Sequence, residues 1–90
     1  MTSKEFIKDM LLLDKDGEYN DGILTIHLEN SNEYSQVYSK LDKLENINLD
    51  SEKTIMTEHS SILNYYTDEF DIKLEADFDN DTYRLIVEEI

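Results

Sequence analysis

Apolar positions along the chain change their spacing several times, and each change predicts an element. Phe6, Ile7, Met10, Leu11 and Leu13 recur at helical spacing behind Thr2-Ser3-Lys4-Glu5. That tetrapeptide fits a capping box with Thr2 as N-cap, and the spacing predicts a short amphipathic helix ending near Asp14-Lys15-Asp16-Gly17. Gly17 and Asn20-Asp21-Gly22 are turn chemistry. The segment "ILTIHLE" then alternates, with Leu24, Ile26 and Leu28 on one face, which predicts a strand. Asn30 or Ser31 can cap a second helix, whose stripe Tyr34, Val37, Tyr38, Leu41, Leu44 follows a period near 3.6.

Residues 53–67, "KTIMTEHSSILNYYT", fit either of two periods. Ile55, Met56, His59, Ile62, Leu63 and Tyr66 would share one face of a helix, yet the residues between them are mostly strand formers. Cross-strand matching favours strands. With tight turns at 59–60, 68–69 and 80–81, Met56 falls opposite Leu63, Leu63 opposite Leu74 and Tyr65 opposite Ile72. In the last hairpin Leu74 then faces Val87, Ala76 faces Leu85 and Phe78 faces Tyr83. On the other face Asp77 meets Arg84 and Lys73 meets Glu88, so apolar matches apolar and opposite charges meet.

The predicted architecture is α+β, in the order α-β-α-β-β-β-β. Two helices cover one face of an antiparallel meander in a single domain spanning residues 1–90. The uncovered face would carry Ile55, Ile62, Tyr66, Asp71, Lys73, Glu75, Asp77, Arg84, Ile86 and Glu88.

Charge adds what the pattern alone does not. The 90 residues hold 22 acids and 8 Lys or Arg, a net charge of −14. Residues 68–90 alone contribute nine acids and two bases, half of the net charge. Residues 14–33 contribute six acids against Lys15. Such a load repels itself and lowers stability. It is read as solubility or salt tolerance, or as a surface presented to a cationic partner. No Cys is present, so disulfides and thiolate metal sites are excluded. The N-terminal apolar run Met10–Leu13 is too short for a signal peptide or a membrane span, which predicts a cytoplasmic protein that makes no membrane contact.

One stretch resembles a chemical motif. "DFDNDTYRLIVE", Asp77 to Glu88, places Asp at positions 1, 3 and 5 and Glu at position 12 of a calcium loop. Position 6, where that loop needs Gly for its sharp turn, is Thr82, and both flanks alternate with period two rather than forming helices. The stretch reads as a hairpin, and no metal or other cofactor is expected. His27 and His59 are isolated and read as surface residues, and Tyr34 and Tyr38 as core. Without a phosphate loop or a nucleophile motif, no catalytic residue is assigned and no enzyme is expected.

In size, charge, absence of Cys and helices-plus-meander layout, the chain resembles small phage-encoded inhibitors, the acidic anti-CRISPR proteins and the uracil-DNA glycosylase inhibitor. The resemblance covers the whole chain but only in composition and layout, and it carries over no site residue. It implies an acidic protein in the host cytoplasm that binds a basic nucleic-acid-binding protein rather than nucleic acid itself. The partner-binding residues expected from the charge block are Asp68, Glu69, Asp71, Glu75, Asp77, Asp79, Asp81 and Glu88, with Tyr66 and Ile86 as anchors. An immunity protein against a basic toxin, or a structural subunit of a virus or secretion apparatus, fits the same composition.

Overall fold

A computed structural model describes all of residues 1–90 as two helices on one face of a seven-stranded antiparallel sheet. The helices are α1 (Ser3–Asp9) and α2 (Ser31–Lys43). The strands are β1 (Glu18–Asn20), β2 (Ile23–Leu28), β3 (Asn48–Leu49), β4 (Ile55–Met56), β5 (Ser60–Tyr66), β6 (Phe70–Asp77) and β7 (Thr82–Glu89). Across the sheet the order is β1-β2-β7-β6-β5-β3, with β4 sharing the outer edge of β5. The α+β class holds, and the ambiguous 53–67 segment is strand.

Local signals start both helices where expected. Thr2 accepts a hydrogen bond from the Glu5 amide while the Glu5 carboxylate accepts one from the Thr2 amide, the reciprocal capping box. Asn30 caps α2 by accepting from the Glu33 amide at 2.9 Å. The first helix ends earlier than its apolar spacing predicts. Leu12 takes a left-handed conformation (φ 51°), and the Leu13 amide bonds back to the Ile7 carbonyl. This exit buries Leu11 completely and leaves Met10 and Leu12 exposed. The α2 stripe is narrower than predicted too: Val37 and Leu41 are buried, whereas Tyr38 is exposed rather than core.

Every second residue of the central strands enters one core. Ile26, Leu85, Leu74 and Leu63 form a row across β2, β7, β6 and β5, and Leu24, Val87, Ile72 and Tyr65 form the next. Burial pushes the Tyr65 hydroxyl up to about 12, with help from the nearby Tyr38 and Asp42. Phe6 of α1 meets Phe70 at 4.9 Å between ring centroids, and α2 lies over β2, β6 and β7.

Register agrees with the pairing argument in one hairpin and departs from it in two. Between β5 and β6, Leu63 faces Leu74 and Tyr65 faces Ile72, as expected. Between β4 and β5, Met56 faces Ser61 rather than Leu63. Residues 57–59 form the turn there, held by the Thr57 hydroxyl, which accepts from the amides of His59 and Ser60.

Between β6 and β7, Leu74 faces Leu85 and Ala76 faces Tyr83, a shift of two residues that keeps every side chain on its predicted face. The turn is four residues, 78–81, with Asp81 left-handed (φ 52°). Phe78 leaves the ladder to set its ring edge-on to Tyr34 (6.5 Å) and Tyr83 (6.4 Å). The shift puts Glu75 opposite Arg84 but gives up the Lys73–Glu88 match and sets Asp71 against Glu88. Phe78 stays 44% exposed, so its gain is mainly the edge-on ring contacts, about 0.5–1.5 kcal/mol, against roughly 0.2–1 kcal/mol for an exposed charge pair. The ring contacts among Tyr34, Phe78 and Tyr83 accompany this register and offset the charge match that it gives up.

Two strands lie outside the expected order. Asp21 and Gly22, both with positive φ, close a two-residue hairpin that adds β1 to β2. The edge beside β5 is split into β3 and β4 by an excursion at 50–54, where the Asn64 carbonyl accepts from the Asp50 amide at 2.8 Å, its amide donates to the Thr54 hydroxyl and its side chain donates to the Lys53 carbonyl.

Glu89 ties the two termini together. Its carboxylate accepts from the Ser3 amide (3.2 Å), the Ser3 hydroxyl (3.0 Å) and the Tyr19 hydroxyl (2.5 Å). The Tyr19 hydrogen bond, followed by those from Ser3, holds this carboxyl below the usual range. A depressed carboxyl supplies stability above its unfolded-state value and loses it as pH falls through the folded value. Acidification below the ordinary carboxylate range is therefore expected to loosen α1 and β1. Glu89→Ala should reproduce this at neutral pH, speeding amide hydrogen exchange in residues 3–9 and 18–20 and leaving β5 and β6 protected. Equal loss of protection in β5 and β6 would instead assign Glu89 to the whole sheet.

Candidate partner-binding surface

The uncovered face of the sheet holds the side chains opposite in parity to the core. Each row below runs across the strands in the observed register. Ile55, Ile62, Glu75, Arg84 and His27 form one row. Asn64, Lys73, Ile86, Thr25 and Glu18 form the next. Asn48, Tyr66, Asp71, Glu88, Ile23 and Asn20 form the third. All ten residues predicted for this face lie on it. Ile23, Thr25 and His27 join it because β2 pairs with β7, which the order of elements along the chain does not predict. Their alternation with Leu24, Ile26 and Leu28 was readable, but no turn joins β2 to β7 to fix the pairing.

The expected binding residues do not form one cluster. Asp68 and Glu69 lie in the β5–β6 turn, close to Tyr66, Asp71 and Glu88. Asp77, Asp79 and Asp81 lie at the other end of β6, roughly 23 Å away for a strand of this length. Glu75 and Ile86 sit between the two groups. Asp68 and Glu69 stand apart from Asp79 because successive turns of an antiparallel meander fall at opposite ends of the sheet.

The carboxylates of the 78–81 turn diverge toward different neighbours. Asp77 accepts from the Asn80 side chain (2.7 Å) and amide (3.3 Å), which hold its carboxyl below the usual range. Asp79 meets His59 Nδ1 at 3.0 Å, and Asp81 accepts from the Tyr83 hydroxyl at 2.9 Å. The stretch that resembled a calcium loop is a hairpin, and these bonds hold each acid in place on the turn.

Compensation of the charge is sparse. Of the 22 acids, only Glu33 and Glu75 meet a Lys or Arg, Glu33 through Lys15 and Glu75 through Arg84. Lys15 holds the Glu33 carboxyl below its ordinary range. Two shallow hollows cross the uncovered face and share Ile62 and Glu75. One extends to His27 and Asp77, the other to Asp50, Tyr66 and Glu88. No three His, Cys, Asp or Glu side chains converge as a metal cage would require. No helix is long and apolar enough to cross a membrane. No family model, curated protein or solved structure matches this chain.

Proposed function

We propose that the protein is a non-catalytic inhibitor that occupies the cationic nucleic-acid-binding groove of an enzyme and keeps nucleic acid out. A nuclease, a CRISPR effector and a repair enzyme all present such a groove. The observation that carries this reading is the density of uncompensated charge. A net −14 over a longest extent of 35 Å is about one charge per 2.5 Å, against one per ~1.7 Å of axis in duplex DNA. A Lys/Arg groove built for that density responds to either array. Nucleic acid, which carries the same sign, is repelled, so the partner is a basic protein.

Association is driven by the long-range field, and residence by the apolar residues of the uncovered face. Captured from a lysate on immobilised protein, the partner should elute with salt and with duplex DNA added as competitor. Against that partner, replacing Asp68, Glu69 and Asp79 together with Asn or Gln should slow association several-fold and flatten its salt dependence, with dissociation little changed. Tyr66→Ala and Ile86→Ala should chiefly speed dissociation, each costing roughly 1–3 kcal/mol. Because the two acidic ends are separated, Asp68/Glu69 and Asp79/Asp81 variants made individually report which end enters the groove. Association unchanged in all of them, with no displacement by DNA, would reduce the acidity to a device for solubility.

A further inference from the structure

The uncovered face carries a diagonal of isoleucines that the core does not use. Ile55 on β4 lies directly opposite Ile62 on β5. Ile86 lies two strands further on and one row along, and Ile23 on β2 one strand and one row beyond that. Ile55 is 56% and Ile23 37% exposed, and Ile62 and Ile86 are half-buried. At sheet spacings the stripe spans roughly 23 Å, the length of about four helical turns.

Carboxylates flank it: Asp71 and Glu88 on one side, Glu75 and Asp77 on the other, with Glu18 beyond Ile86. Three cations meet this face: Lys73, on β6 between Ile62 and Ile86, Lys53, in the hollow beside Ile55, and Arg84, which is tied to Glu75 through Nε at 2.8 Å. The backbone groups of the central strands are already paired within the sheet. An occupant of the face must therefore satisfy its own backbone, as α2 does on the opposite face. A second copy would bring another −14 against this one.

We propose that the face seats a basic amphipathic helix of the partner, with its apolar side along Ile55, Ile62, Ile86 and Ile23 and its Lys and Arg reaching the flanking carboxylates. This rests on the cationic-partner reading above and adds the form the partner takes.

The test uses protein labelled at its isoleucine δ1 methyls and two synthetic sixteen-residue peptides of identical Leu/Lys composition. One segregates Leu and Lys on opposite faces of a helix, and the other scrambles them. The segregated peptide should shift the methyls of Ile23, Ile55, Ile62 and Ile86 and leave Ile7, Ile26 and Ile72 in place. It should bind at least ten-fold more tightly than the scrambled one. Ile62→Thr with Ile86→Thr, which keeps strand-forming residues at these half-buried positions, should remove that advantage without altering scrambled-peptide binding. Equal binding of both peptides, with shifts scattered away from the stripe, would overturn helix docking and leave the cationic-partner reading intact. Binding of neither would overturn both. Sedimentation as a dimer through this face would assign the stripe to a second copy instead.

Discussion

Leu85→Ala is expected to cost about 3–4 kcal/mol and to lower the melting temperature by roughly 15–25 °C. Leu85 is fully buried on β7, between Ile26 of β2 and Leu74 of β6, at the middle of the central aliphatic row. Its removal opens a cavity in a sheet whose neighbouring strands cannot close without breaking their ladders. Small domains hold only about 5–15 kcal/mol in total, and a net −14 draws on that reserve through self-repulsion. Part of the Leu85→Ala population should therefore be unfolded at 37 °C in low salt, and added NaCl should restore some of the loss. Ile86→Ala, one residue along on the opposite face, provides the contrast at about 1 kcal/mol or less. Urea unfolding of the two variants checks the assignment of faces. Equal losses would mean that the uncovered face is packed in the free protein.

Gly17→Ala is expected to cost about 2–3 kcal/mol, although residue 17 lies in a loop with no strand or helix of its own. A Cβ at this position would come within 2.8 Å of Ile26 Cγ1 and closer still to the Thr25 carbonyl oxygen. The backbone of the α1–β1 connection is thus pressed flat against β2, and the obstacle is main chain, which cannot rotate away. Gly22→Ala meets nothing nearer than 3.4 Å, and its cost comes instead from φ +80°. Thermal unfolding should rank Gly17→Ala as the more damaging of the two. The opposite order would show that the loop can lift off β2 at little cost.

Both acidic blocks were readable from the chain, yet their arrangement was not. The count of carboxylates in residues 68–90 shows how much negative charge the meander carries. Only the placement of the turns shows that Asp68 and Glu69 stand a strand length from Asp79 and Asp81. The Ile55–Ile62–Ile86–Ile23 stripe was hidden for a related reason. Three of its members were assigned to the correct face, but a diagonal exists only once the β6–β7 register and the β2–β7 pairing are known.

Local physics is legible in the residues themselves. Thr2 and Asn30 start their helices because a short polar side chain satisfies free amides there, and Asp21-Gly22 turns because both residues accept positive φ. Period-two alternation assigned each residue of β2, β5, β6 and β7 to its face, and a register shift of two leaves that assignment untouched. Whatever depends on which distant groups meet came from the folded whole. It drew Phe78 out of the ladder toward Tyr34 and Tyr83, moved Arg84 from Asp77 to Glu75, ended α1 early so that Leu11 could be buried, and laid β2 against β7. Burial of Leu11 and of the β2 and β7 side chains Leu24, Ile26, Leu85 and Val87, like the ring contacts of Phe78, exists only when the whole chain has folded.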